Sequence, residues 1–239
     1  MNLPALRKQA SRFTGLCSSA GSSRNQDQAN FLPAPAAQAL ADLLPLLLCG
    51  EASAELVFMG AADELPEAVD PALRAALKRI AEDEIHHGRL LGALRDRLPP
   101  PSVEDGARRA AHFLRHLQCR DLGLHLARVA ALDAGACLVF MELTRPGAIM
   151  SQHKELATLF SRLGEDEGRH VRVTLQCAAA LGVAPARVEA ERRQVWLKLA
   201  ELLTPGTSAL QNLGVDVRRL FERLAPARHR GLHPMLAEG

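Results

Sequence analysis

From residue 34 onward, apolar side chains recur every three or four positions, with polar and charged ones between them. That spacing places the apolar groups on one face of an α-helix. No stretch alternates convincingly with period two, and Ala, Leu, Glu and Arg outnumber β-branched residues. An all-α fold is expected. A first helix covers about 36–61, with Pro45 a candidate kink. Asp70 followed by Pro71 reads as an N-cap and first helical residue, opening a second helix that lasts to about 98. Pro99, Pro100 and Pro101 close it. A third helical stretch spans about 103–143, with a candidate break near 118–121. Pro146 and Gly147 make the next turn, before a fourth helix over about 150–182. Two more segments, 185–203 and 207–225, flank Pro205 and Gly206. Residues 1–33, with Ser, Gly, Asn and Gln clustered at 18–30, are expected to form a loosely ordered or docked extension. The main bundle is expected over 34–184, accessory helices over 185–226 and a tail over 227–239.

The helical region contains one hairpin twice. The nine residues from Glu51 to Met59 (EASAELVFM) align without gaps on those from Asp133 to Met141 (DAGACLVFM). Further on, Arg79 to His87 (RIAEDEIHH) aligns on Arg162 to His170 (RLGEDEGRH). Glu51 precedes Glu84 by 33 residues, and Asp133 precedes Glu167 by 34. The shared columns hold a carboxylate in the first block and Glu-x-x-His in the second. Residues i and i+3 share a helix face, so Glu84 with His87, and Glu167 with His170, can each reach one ion. An antiparallel return brings Glu51 level with Glu84, and Asp133 level with Glu167. Packed together, the hairpins would project four carboxylates and two imidazoles inward, a ligand set that bundles use for two iron or manganese ions. Sixteen Glu and nine His in 239 residues give about 0.6 Glu-x-x-His matches by chance. Two at matched distances behind matched carboxylates are a far rarer event.

This pattern, covering about 36–182, resembles the ferritin-like superfamily of di-iron carboxylate proteins. The resemblance implies a four-helix bundle made of two repeated hairpins, with additional C-terminal helices. It implies Glu51, Glu84, His87, Asp133, Glu167 and His170 as metal ligands for two Fe ions, Mn being the other candidate. Glu84 and Glu167 would bridge, and Glu51 and Asp133 would be terminal. Asp133 departs from the commonest pattern, which has Glu there; its shorter arm would make the two metals inequivalent or leave room for a water.

Two further residues are candidate catalytic groups. Glu55, one turn after Glu51, could be a seventh ligand, a proton donor or a partner of a ligand; a carboxylate on the helix boundary is an equal reading. Cys137 occupies its matched column, as a redox thiol or, the favoured reading, a small core residue. Asp83 and Asp166, repeated just before each motif Glu, are candidates to hydrogen-bond a ligand histidine on the opposite helix. Glu142, about 180° round the helix from Asp133, is excluded as a ligand. His86 is expected to be exposed, His112, His116 and His125 to be boundary residues, and His229 and His233 to be solvated. Trp196, with Leu197 and Leu199, is expected to anchor the fifth helix on the bundle.

Composition then removes function classes. Net charge is +2, and no polybasic run stands out although 25 of 29 basic residues are Arg. Aromatics are 3%, too few for an obvious base-stacking platform, so nucleic acid is not an expected partner. The absence of Tyr excludes an intrinsic tyrosyl radical. Five Cys without a Cys-x-x-Cys argue against a disulfide framework or a rubredoxin-type appendage and suit a reducing, cytoplasmic compartment. No apolar h-region opens the chain and no uninterrupted apolar run reaches 18 residues, so neither a signal peptide nor a membrane span is expected. The resemblance points to a non-haem di-iron oxygenase or oxidase that uses O2 to hydroxylate, desaturate or otherwise oxidise a small organic substrate. Electrons would come from an external ferredoxin or reductase, since no flavin, nicotinamide or iron–sulfur motif is visible. Ferroxidase, iron-handling or peroxide-detoxifying activity is the alternative, with a tRNA-modifying di-iron hydroxylase behind it. A homodimer is open, with no self-complementary patch to argue for it.

Overall fold

A computed structural model describes residues 32–102 and 105–225. Among them the regular structure is helical: α1 (Ala34–Glu64), α2 (Pro71–Arg95), α3 (Gly106–Leu117), α4 (Leu122–Thr144), α5 (Lys154–Ala180), α6 (Pro185–Leu203), α7 (Thr207–Asn212) and α8 (Val217–Leu224). Short 3-10 turns at Ile149–Gln152 and Thr204–Gly206 join them. The expected extension up to residue 31, the tail, and His229 and His233 lie outside the described residues.

Local chemistry sets the helix ends. The Asp70 carboxylate accepts the Ala72 N–H at 2.8 Å, with Pro71 opening α2. Asp121 caps α4 through the Leu124 N–H at 2.8 Å, so the third stretch breaks at 118–121 into α3 and α4. Gly182, at φ +83°, ends α5: the Val183 N–H reaches the Ala178 carbonyl and the Gly182 N–H that of Ala179. Pro45 lies inside α1, which continues through it as one helix of 31 residues.

One expected element is corrected. The segment 207–225 is two helices, α7 and α8, rather than one. Gly214 turns between them at φ +79°, and a Cβ there would press on the Ala148 backbone at 3.1 Å. The turn is pinned: Ile149 N–H donates to the Leu213 carbonyl and Arg145 to that of Gly214.

The four long helices pair as hairpins, α1 on α2 and α4 on α5, and the hairpins meet chiefly through α2 and α5. The segment between them carries α3, which lies against α1 and α6. Helix α6 covers α4. There Gly135 leaves room for Leu199, whose Cδ2 a Cβ would overlap, and Trp196 Nε1–H donates to the Ala131 carbonyl at 2.7 Å. Trp196 and Leu199 thus anchor α6 as expected, while Arg192 stacks over the indole at 4.6 Å.

The apolar core is in two clusters. One holds Leu44, Leu91, Phe140 and Phe160; the other holds Phe58, Leu77, Leu126 and Cys177. Along every long helix the site residues fall between a residue of one cluster and a residue of the other. On α1 the order is Leu44, Glu51, Phe58; on α5 it is Phe160, Glu167, Cys177. A polar layer thus crosses the middle of an otherwise apolar bundle. Helices α1 and α4 are long and apolar enough to cross a membrane by length and composition, but 61% of the α4 window is buried inside the protein. Both contribute a carboxylate to that layer.

Candidate metal centre

Glu51 on α1, Glu84 and His87 on α2, Asp133 on α4, and Glu167 and His170 on α5 are all buried, at 0–7% exposure. One donor atom from each of Glu51, Glu84, His87 and Glu167 lies within 4.8 Å of the others, a buried cluster that could hold a metal ion. His170 and Asp133 fall outside this set of four, although His170 Nδ1 lies 3.1 Å from Glu84 Oε1.

The two motif carboxylates span both histidines. Glu84 sends Oε1 to His170 and Oε2 to His87 Nδ1, the latter at 3.7 Å. Glu167 does the reverse, with Oε1 3.8 Å from His87 Nδ1 and Oε2 3.6 Å from His170 Nδ1. Glu51 Oε2 lies 3.3 Å from His87 Nδ1. The imidazoles face each other with centroids 5.9 Å apart, and Phe58 packs on His170 edge-on.

The outer ring nitrogens are held across the hairpins. His87 Nε2–H donates to Asp166 of α5 at 3.2 Å, and His170 Nε2–H to Asp83 of α2 at 3.3 Å. A carboxylate only accepts, so these bonds place the proton on Nε2 and leave Nδ1 facing the cluster. Arg169 clamps both aspartates, donating to Asp166 at 2.6 Å and Asp83 at 2.9 Å. The crosswise aspartate contacts match the sequence reading. The sequence reading assigns Arg169 no role; its i,i+3 spacing from Asp166 is the signal that points to the clamp.

Burial drives the Asp133 and Glu51 carboxyls well above the usual range, with the charge of neighbouring carboxylates adding to it. Burial raises Glu167 as well. Burial would also raise Glu84, but its contacts with His170 and His87 outweigh that and hold it at about 2. Burial would depress both imidazoles. The contacts of His87 with Glu51 and Glu84 instead raise it to about 11, and those of His170 with Glu167 and Glu84 raise it to about 10.

Four buried polar atoms here have no hydrogen-bond partner: Glu51 Oε2, His87 Nδ1, Asp133 Oδ2 and His170 Nδ1. They come from all four long helices. Their close neighbours lie off the hydrogen-bonding direction, so four buried polar atoms are left unsatisfied. Such groups are costly to bury unless something satisfies them, and oxygen and imidazole donors suit a divalent cation.

The remaining candidates sit apart. Glu55 is half-buried, and Cys137 donates its S–H toward the Gly164 carbonyl at 3.5 Å. Burial, with Glu167 and Asp133 nearby, pushes the Cys137 thiol up to about 11. Neither residue lines the cavity beside the cluster. Glu142 is buried against Arg145 and Arg219, 3.3 and 3.1 Å away, and so ties α8 to α4. His86 is exposed, while His125 is buried and bonds the Leu117 carbonyl.

The cavity is an apolar chamber of about 120 Å³, floored by Glu51, Glu84, Asp133 and Glu167 and walled by α1, α3, α4 and α6. No family model, curated protein or solved structure matches the chain.

Proposed function

We propose that the chain is a ferritin-like, non-haem di-iron oxygenase or oxidase that oxidises a small organic molecule with O2. The observation that carries the reading is the set of four unpartnered buried donor atoms, one from each long helix, two of which belong to Glu51 and Asp133 at the floor of an apolar chamber. The six residues Glu51, Glu84, His87, Asp133, Glu167 and His170 would hold two ions, iron or manganese. Glu84 and Glu167 would bridge, a reading supported by each offering one oxygen toward each histidine. Bound iron would supply two-electron reduction of O2, with one oxygen atom entering a C–H bond of the substrate in a hydroxylation and the other leaving as water. The two electrons come from a ferredoxin or reductase and the two protons from solvent.

The chain's own residues set the conditions. Asp83 and Asp166 fix the histidine tautomer, and Arg169 holds both aspartates in place. The apolar walls exclude water, and carboxylates can change binding mode without moving a helix. Asp133, with one fewer methylene than Glu51, reaches less far and makes the two metal positions unequal. The test is rapid mixing of the ferrous protein with O2. A transient absorbance band, decaying faster with substrate present, is expected; ferrous protein inert to O2 would defeat the reading.

A further inference from the structure

A second cavity, of about 620 Å³, lies between α3 and the end of α6. Its walls carry Arg108, Arg109, His112, Arg115 and His116 from α3 and Lys198 from α6, with Glu201 the carboxylate among them. Asp105 lies 3.8 Å from Arg108 and 3.3 Å from Arg109, yet Arg109 keeps a buried Nε–H without a hydrogen-bond partner. Arg115 and Lys198 are exposed. The cavity is strongly cationic, in a chain whose net charge is only +2.

The two cavities share a wall. Phe113 and Leu202 line both the cationic cavity and the apolar chamber, so at that point the partition is one side chain thick. The linings differ in kind: guanidinium and ammonium groups in one cavity, and in the other apolar walls over the buried cluster. An anion is drawn to the first and would lose its hydration without a cationic partner between the apolar walls of the second. An apolar chain is indifferent to charge and gains by leaving water for the chamber.

We propose that the two cavities bind one substrate, an anion-headed amphiphile. Its carboxylate or phosphate head rests on the Arg and Lys side chains. Its alkyl tail passes Phe113 and Leu202 into the chamber, tip against the carboxylate floor. The arrangement fixes direction, since the reverse orientation buries the anion between apolar walls and leaves the alkyl tail among charged side chains. It also limits size: a cavity of about 150 Å³ admits benzene, so the chamber takes a tail end of about four carbons. The proposal rests on the oxygenase reading for the fate of the tail, and not for binding.

The experiment is calorimetric titration of the full-length protein, without O2 or reductant, with octanoate, octyl phosphate and octanol. At least one anion is expected to bind about tenfold more tightly than octanol, the effect of one charge-assisted hydrogen bond. The better of the two identifies the head group. Replacing both cations (Arg115→Ala with Lys198→Ala) should weaken that anion about tenfold and leave octanol unchanged. Ala136→Leu, which narrows the chamber, should weaken all three probes and shift preference to shorter tails; Leu132→Phe does the same from another position should that variant fold poorly. Octanol binding as well as either anion, neither anion binding, or anion affinity indifferent to the double variant would overturn the proposal. Anion binding of the expected kind in a protein whose ferrous form is inert to O2 would refute the oxygenase reading and leave this one standing.

Discussion

The hairpins α1–α2 and α4–α5 carry the same sequence blocks and meet different surroundings. On α4, the first block holds Gly135, and α6 packs into the space that the missing side chain leaves. On α1 the matched residue is Ser53, half-buried, and the helices packed on α1 are chiefly α2, α3 and α7 rather than α6. The apolar window of α1 is accordingly 28% buried and that of α4 61%. The matched methionines, Met59 and Met141, are both exposed. In the second block the asymmetry is electrostatic: His86 points to solvent, whereas Arg169 in its column grips Asp83 and Asp166 together. What the hairpins share is the centre: Glu84 and Glu167 each face both histidines. Duplicated positions hold the buried Glu/His cluster, and positions that diverged hold the packing around it.

The largest expected effect tests that equivalence. Glu84→Ala and Glu167→Ala should each abolish two-metal binding while the helical fold persists, read by elemental analysis and circular dichroism. Metal-free Glu84→Ala should melt lower than metal-free wild type, because it takes from both imidazoles the carboxylate that pairs with them. Full occupancy in either variant would break the symmetry of the bridging roles.

Next come the aspartates. Asp83→Ala and Asp166→Ala should each weaken metal binding by about 10–100-fold, since each frees a histidine to rotate. Arg169→Ala should weaken it less and His86→Ala not at all, which sharpens the difference between the matched columns. The smallest effect separates the first blocks. Gly135→Val should destabilise the protein by about 1–3 kcal/mol by forcing Leu199 and α6 off α4. Ser53→Val should fall within about 0.5 kcal/mol of wild type in the same thermal denaturation. Equal losses would mean that α6 is not seated through Gly135.

Much of this was legible in the sequence because it is periodic or repeated. The breaks at Asp70–Pro71, at 118–121 and at Gly182 follow from backbone and capping chemistry that acts within a few residues. The clustering of Glu51, Glu84, His87 and Glu167 followed from equal spacing in two copies. Less legible features depend on residues far apart in sequence. The turn at Gly214 is set by its approach to Ala148, 66 residues earlier, and local pattern there reads as continuous helix. The Arg169 clamp needs Asp83 from another hairpin. The shared wall of Phe113 and Leu202 joins α3 to α6, whose contact no repeat announces.

The central claim is that the polar layer between the two apolar clusters is a two-metal site. Anaerobic titration of the full-length protein with ferrous ion, followed by desalting and elemental analysis, tests it directly. Two irons retained per chain, falling to one or none in Glu84→Ala, is the predicted result. A wild-type chain that retains one iron or none would contradict it.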